Sequence, residues 1–280
     1  IFTKLGVEGA AIGTLISRIT MVLFIVIYFR LNNSFRSYFI EITKFKLKIN
    51  LLKKILELGF PSALQMLFEV GFFAAAIWLS GLLGSKIQAA NQIALNLSTI
   101  TYMVAMGLSV TAMIRVGNQY GKFDFYELKR IAYSIFLLIF ILDIIFCLFF
   151  LIFHNSLPWI YLDADNEINY KDSLEVVSLA SNLLIISAIF QISDGLQAVI
   201  LGSLRGLQDV NKPTTIIFIS YCLIGFPISY YLGIISNLGA IGIWIGLLTG
   251  LTCSALLIFL RFNYKIKKLL ILKKYKKDLK

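Results

Sequence analysis

The chain has 280 residues, 59% of them apolar and 15% charged, with a formal net charge of +11 and a mean hydropathy of +0.84. Soluble domains carry about 25% charged residues, so this balance, concentrated in long apolar runs, excludes an ordinary soluble fold and points to a membrane protein. The positive charge could suggest nucleic acid, but its placement argues against that partner, because the Lys and Arg residues lie almost entirely between the apolar runs and at the carboxy terminus, as loops of membrane proteins require.

A bilayer-spanning helix needs about 20 mostly apolar residues. Seven stretches qualify, at 10–29, 55–83, 89–114, 131–153, 176–204, 214–235 and 240–259. Their apolar runs are continuous rather than alternating, so the expected fold is all-α, a polytopic transmembrane helix bundle, and not a barrel. The chain starts on Ile1 with no cleavage pattern behind it and is read as part of a longer polypeptide.

The first stretch carries small residues at Gly9, Gly13 and Ser17, a spacing that lets membrane helices approach closely. It also carries Arg18, a candidate for a structural ion pair. The second contains Gly59-Phe60-Pro61, where the proline removes one backbone hydrogen bond and bends the rod. Farther along it, Ser62, Gln65 and Glu69 fall on one helix face. A carboxylate at the bilayer centre costs about 2.5–3.5 kcal/mol on insertion scales, so such a residue normally faces a cavity or a partner. Glu69 is therefore a candidate for exchanging a proton, Na+ or a cationic substrate, set against a structural hydrogen bond to another helix.

In the third stretch Gln92, Asn96 and Thr99 share one face, beside Asn91, and suit either cation coordination or interhelical hydrogen bonding. Met66, Phe72, Phe73, Met103 and Met106 offer an adaptable apolar surface for flat cations, against simple packing. The fourth stretch holds Asp143 among apolar neighbours, with no polar stripe. The fifth holds Asp194, with Ser187, Gln191 and Gln197 near its face, and the reasoning applied to Glu69 applies to it. The sixth repeats the Gly-Phe-Pro element at Gly225-Phe226-Pro227, and the seventh carries Gly242, Gly246 and Gly250. Pro61 and Pro227 are the candidate bending points.

Basic residues alternate between the two sides. One side collects Arg30, Arg36, Lys44 to Lys54, Arg115 to Arg130, Arg205, Lys212 and the tail beyond Arg261. The other holds Lys86 and the acid-rich Asp163, Asp165, Glu167 and Asp172 around Lys171. The positive-inside rule places the basic side and the carboxy terminus in the cytoplasm, and seven spans then put Ile1 outside, which again implies preceding helices. Cys147, Cys222 and Cys253 all lie in apolar stretches without metal or disulfide spacing. No phosphate-binding loop exists, since Lys122 after Gly117 is followed by Phe123. The sole histidine, His154, sits at a helix end. Nothing matches an enzyme's catalytic set, and no cofactor is expected.

Several segments together resemble the multidrug and toxic compound extrusion family. GFPSALQMLFEVGFF (59–73) is similar to its seventh helix, and AANQIALNLSTITYMVAMGLSVTAMIRVGNQYGK (89–122) to its eighth helix and following loop. DGLQAVILGSLRGLQDVNKP (194–213) resembles its tenth, and GFPISYYLG (225–233) and LGAIGIWIGLLTG (238–250) its last two. The likeness runs over 6–262. It implies twelve helices in two lobes, of which residues 1–54 would be the sixth helix and inter-lobe linker, 55–262 the carboxy-terminal lobe and 263–280 a basic cytoplasmic tail. It implies a secondary antiporter that exports cationic or amphipathic drugs in exchange for Na+ or H+. It makes Glu69 and Asp194 cation-coupling residues and a candidate Na+ site, to which the helix faces read above add Gln65, Gln92, Asn96 and Gln191 as candidate binding residues. One departure stands out: Phe190 occupies the position, one turn before Asp194, where some sodium-coupled members carry tyrosine. The implied partners are a small molecule, the bilayer and the amino-terminal lobe of the same polypeptide. The implied location is the cytoplasmic membrane of a bacterium. Two alternatives are a flippase for a lipid-linked sugar, which an acidic interior disfavours, and a non-transporting membrane protein that assembles with partners.

Overall fold

The computed structural model describes residues 6–32, 48–162 and 170–278. The basic residues Arg36, Lys44, Lys46 and Lys280, and the acids Asp163, Asp165 and Glu167, lie outside them. Contacts divide the chain into two units, Ile1–Ile55 and Leu56–Lys280. Among the described residues, seven helices are long and apolar enough to cross a membrane. We number them α1 (Gly6–Leu31), α2 (Ile49–Leu82), α3 (Ser85–Gly121), α4 (Phe125–Phe153), α5 (Tyr170–Gly206), α6 (Asn211–Ile235) and α7 (Gly239–Asp278). No strand occurs among the described residues. The protein is an integral multi-pass membrane protein, all-α as its apolar periodicity requires.

Each helix starts before its apolar stretch, and α1, α3, α5 and α7 also run past its end, because the helical hydrogen-bond ladder continues into the polar flanks. The largest extension is α7. The basic segment after Phe262, expected as a tail, continues as helix to Asp278. Ile266 is buried, and Leu269 and Leu270 pack on the core. Lys273 lies 3.6 Å from Asp124 and sits over the rings of Phe125 and Tyr126. The segment alternates lysines with leucine and isoleucine, so one face docks while the other stays in water.

Helices α5 and α7 are the most enclosed, with about half of their apolar spans buried. Small residues make this possible. A Cβ built on Gly202 would collide with the backbone and hydroxyl of Ser109, and one on Gly206 would come within 2.6 Å of the Met113 carbonyl. Helices α3 and α5 therefore touch backbone to backbone, and the Ser109 hydroxyl donates to the Ala198 carbonyl across the seam (2.6 Å). The Gly242, Gly246 and Gly250 stripe works as the spacing implied. Added Cβ atoms would strike Leu232, Ser229 and the Phe72 ring respectively, so α7 lies directly against α6 and α2. Gly13 in α1 meets no such neighbour among the described residues.

Pro227 is absorbed by a change of helix type. The turns Ile219–Gly225 and Tyr231–Ile235, on either side of Phe226–Tyr230, are π-helical. A proline cannot donate to the carbonyl four residues back, and wider turns re-route the bonds around it. At the other helix junction, α5 ends in a Schellman turn. The Asp209 amide donates to Leu204 and the Gln208 amide to Arg205, with Gln208 left-handed at φ 57°. That turn delivers Asp209 to Arg261 of α7, with two hydrogen bonds of 2.8 and 3.1 Å.

Two stability changes follow. Gly246→Val drives a branched side chain into the Ser229 backbone and lowers the melting temperature of the detergent-purified protein, by the equivalent of about 1–3 kcal/mol. Asp209→Ala strands the Arg261 guanidinium, and Arg261→Ala strands the buried carboxylate, each costing about 3–5 kcal/mol. Thermal unfolding of both and of the double variant should give a double-variant loss smaller than the sum of the single losses.

Candidate functional site

Helices α2, α3 and α5 line an open cavity of about 500 Å³. Glu69 of α2 and Asp194 of α5 both line it, so the two carboxylates expected to carry chemistry belong to one site. Tyr102 of α3 donates its hydroxyl to Glu69 Oε1 at 2.9 Å, which holds that carboxylate in place. Asp194 is buried, and its Oδ1 has no hydrogen-bond partner. The rest of the wall is largely apolar and includes Met66, Phe73, Met103 and Met106. Phe72, grouped with them from the sequence, is turned away and stacks on Tyr221 with ring centroids 4.9 Å apart.

Two of the expected amides line the cavity. Gln92 and Asn96 lie one turn apart on α3 and are joined by a hydrogen bond of 3.1 Å from Gln92 Nε2 to Asn96 Oδ1. Thr99 continues the same wall. Their neighbour Asn91 points the other way, where its Oδ1 accepts from Trp244 Nε1 at 2.9 Å in the interface with α7.

Gln65 does not line the cavity. It is fully buried one turn from Glu69, and its amide is already engaged. Nε2 donates to the Val210 carbonyl and to Thr214 Oγ1, both at 2.9 Å, while Oε1 accepts from Arg205 Nε and Nη2 at 3.2 and 3.1 Å. The physical reason is the Schellman turn after α5, which carries Val210 and Thr214 under α2 at that level. Ser62, on the same face, spends its hydroxyl on Leu58 of its own helix. Gln65 is thus a structural tie at the foot of the cavity.

Arg205 corrects the expectation of a purely acidic interior. Read as a loop residue, it belongs to the last turn of α5 and lines the cavity. Its charge acts on Glu69. The cavity therefore holds two carboxylates and one guanidinium. The sequence hid this because Arg205 lies at the end of an apolar run, where a basic flank is the ordinary reading.

Asp143 was expected among apolar neighbours and is not. It is 2% exposed and points from α4 into a narrow crevice shared with Gln191, Asp194 and Tyr102. Gln191, expected beside the coupling carboxylates, belongs to this crevice and not to the main cavity. Phe190 reaches the cavity wall, with its ring against Phe73 and Trp244 at 6.0 and 5.5 Å, and supplies no oxygen there.

Comparison with known proteins bears on this arrangement. The MatE family model matches residues 61–231. The probable multidrug resistance protein NorM of Agrobacterium fabrum is 33% identical over 264 residues, covering 94% of this chain and 56% of that protein. The multidrug resistance protein MdtK of Yersinia pseudotuberculosis is 35% identical over 217 residues, covering 76% of this chain and 46% of its own length. The chain spans about half the length of the curated relatives it matches. Among solved structures, the eukaryotic MATE transporter AtDTX14 superposes with a TM-score of 0.78 at 20% identity, over 93% of this chain and 57% of that one. An outward-facing multidrug resistance MATE transporter of the MOP superfamily gives 0.76 at 19% identity, over 95% and 58%. These likenesses carry the fold, and the family model covers Glu69, Tyr102, Asp143 and Asp194 alike. The chain belongs to the MatE family of multidrug and toxic compound extrusion transporters.

Proposed function

We propose that the polypeptide containing this chain is a secondary antiporter that exports cationic or amphipathic small molecules in exchange for Na+ or H+. The observation that carries this reading is the meeting of Glu69 and Asp194, from two different helices, in one methionine- and phenylalanine-walled cavity. Apolar walls and polarizable sulfur suit flat organic ions, and the carboxylates favour a positive charge. The relatives named multidrug resistance proteins support the substrate class.

The mechanism is competition for the same carboxylates. An incoming cation neutralises Glu69 and Asp194 and releases the organic cation outward, and substrate entering from the cytoplasmic side displaces the cation in turn. Exchange requires only that the two ligands differ in affinity between the two access states. Both Na+ and H+ satisfy oxygen donors of this kind. The positive-inside rule orients the Arg205 end toward the cytoplasm and the Lys86 end outward, in the cytoplasmic membrane of a bacterium. At that outer end Lys86 pairs with Asp172 (2.8 Å) and Glu175, joining α3 to α5. A flippase for a lipid-linked sugar is less well supported. It would need several free basic groups for phosphate, whereas the one guanidinium lining this cavity is already bonded to Gln65.

In cells expressing the full-length gene, efflux of a fluorescent organic cation should follow an imposed Na+ or H+ gradient. Glu69→Gln and Asp194→Asn should each abolish it at normal expression, and intact efflux in both would overturn the carboxylate mechanism. Tyr102→Phe removes the hydroxyl that holds Glu69 and should weaken the apparent affinity for the organic cation by roughly tenfold, the worth of a hydrogen bond to a charged group. Concentration-dependent efflux kinetics measure that change.

A further inference from the structure

The seam between α4 and α7 carries positive charge without a partner at its basic end. Two contacts fix the register of these antiparallel helices. The Tyr133 hydroxyl of α4 donates to Asn263 Oδ1 of α7. Nearer the helix ends, Lys273 of α7 lies 3.6 Å from Asp124, the N-cap of α4, and over the rings of Phe125 and Tyr126. One turn from Tyr133 toward the start of α4 stands Lys129. One turn from Asn263 toward the end of α7 stands Lys267. The two contacts bracket this level, so both lysines occupy the same turn of the seam.

Lys129 and Lys267 are exposed. Among the described residues neither has a carboxylate partner, whereas their neighbours Arg130 and Lys273 pair with Glu127 and Asp124. Lys129 Nζ lies 5.7 Å from the centroid of the Tyr133 ring, which holds the ammonium along the seam. Asn263 spends its carbonyl oxygen on Tyr133, and its Nδ2 has no acceptor among the described residues. The seam therefore offers two ammonium groups and an amide N–H with no anion between them.

The apolar stretch of α4 begins at residue 131, so Lys129 stands at the level of the hydrated headgroups. Toward the bilayer centre, the next turns of the same two faces are apolar and exposed. They are Leu137 and Phe140 on α4, and Leu260 and Leu256 on α7. The open cavity draws no residue from α4 or α7, so this seam lies on another side of the bundle. A molecule resting here meets cations at one end and hydrocarbon along its length.

We propose that the seam binds one anionic phospholipid. Its phosphate bridges Lys129 and Lys267 and accepts from Asn263 Nδ2, and its acyl chains lie along Leu137, Phe140, Leu256 and Leu260. One phosphate between two like charges removes their repulsion, so the lipid also fastens the basic end of α7 to α4. A choline lipid brings its own cation against the second lysine and fits less well. A soluble phosphate has no chains to use the apolar faces. The proposal is independent of which solutes the transporter carries.

The test is native mass spectrometry of the full-length protein in detergent, titrated with phosphatidylglycerol or with phosphatidylcholine of equal chain length. The unmodified protein should bind one phosphatidylglycerol about tenfold more tightly than phosphatidylcholine, or more, the scale of two lysines at a membrane surface. Its melting temperature should rise with that lipid. Lys129→Gln combined with Lys267→Gln should bind both lipids alike and lose the rise, while Lys129→Arg with Lys267→Arg should keep both. Lys53→Gln with Lys54→Gln removes the same charge from exposed positions of α2 and should bind as the unmodified protein does. Lys129→Glu gives Lys267 a partner within the protein, so it should lose the lipid preference and serves if the paired Gln variant does not fold. A preference that survives in the paired Gln variant would overturn the proposal, as would no preference in the unmodified protein. An equal loss in the Lys53 and Lys54 pair would show diffuse attraction and overturn the site. Displacement of the lipid by an equal concentration of inorganic phosphate would overturn the assignment to a lipid.

Discussion

The close approach of α5 to its neighbours governs the rest of this structure. In lipid no hydrophobic force draws helices together, so association depends on van der Waals contact and hydrogen bonds, which require small residues at the seam. Gly195, Gly202 and Gly206 lie along α5, and each admits a group from another helix that a Cβ would exclude: Asp143 of α4, Ser109 of α3 and the Met113 carbonyl of α3. With the backbones this near, short side chains bridge them, as Ser98 and Ser187 do at 2.6 Å. The polar groups that face inward from α5 are then enclosed rather than exposed to lipid.

Enclosure sorts the buried polar groups of the bundle into two kinds. Gln65, Thr214, Asn91, Gln197 and Asp209 have protein partners that consume their hydrogen-bonding capacity in part or in full, and they tie helices distant in sequence. Asp143, Gln191 and Asp194 keep atoms with no partner, as do Asn91 Nδ2 and the Ser220 and Ser254 hydroxyls. The first kind makes a rigid frame, because breaking any tie strands a polar group in a medium that cannot solvate it. Glu69 lies between them, steadied by Tyr102 yet facing the cavity.

Much of this was legible from residues alone. Continuous apolar runs announced seven spanning helices, since length and hydropathy are local properties and the bilayer imposes one thickness on all of them. Glu69 and Asp194 stood out because a carboxylate in an apolar run is costly whatever surrounds it. The Gly242, Gly246 and Gly250 stripe was readable because helical periodicity puts it on one face. The errors share one cause. Gln65 and Glu69 lie on one face of α2, but periodicity does not say what stands opposite each turn, and the chain after α5 stands opposite Gln65. Arg205 looked like a loop cation because its role depends on where the cavity ends. Asp143 looked isolated because its neighbours come from α5, some fifty residues away in sequence.

The sequence by itself determined the fold class, the number of spans, the two principal carboxylates and the helix with the small-residue stripe. These follow from composition and from the 3.6-residue period, and both act within a single segment. Only the tertiary structure decided which carboxylates share a space, that Asp143 and Gln191 lie behind Asp194, that Arg205 joins the cavity and Gln65 leaves it, and that the basic end of α7 is a docked helix. Those outcomes depend on how far one helix is rotated and shifted against the next. That geometry is set by backbone contacts at glycines and by hydrogen bonds between distant turns, which no single segment contains.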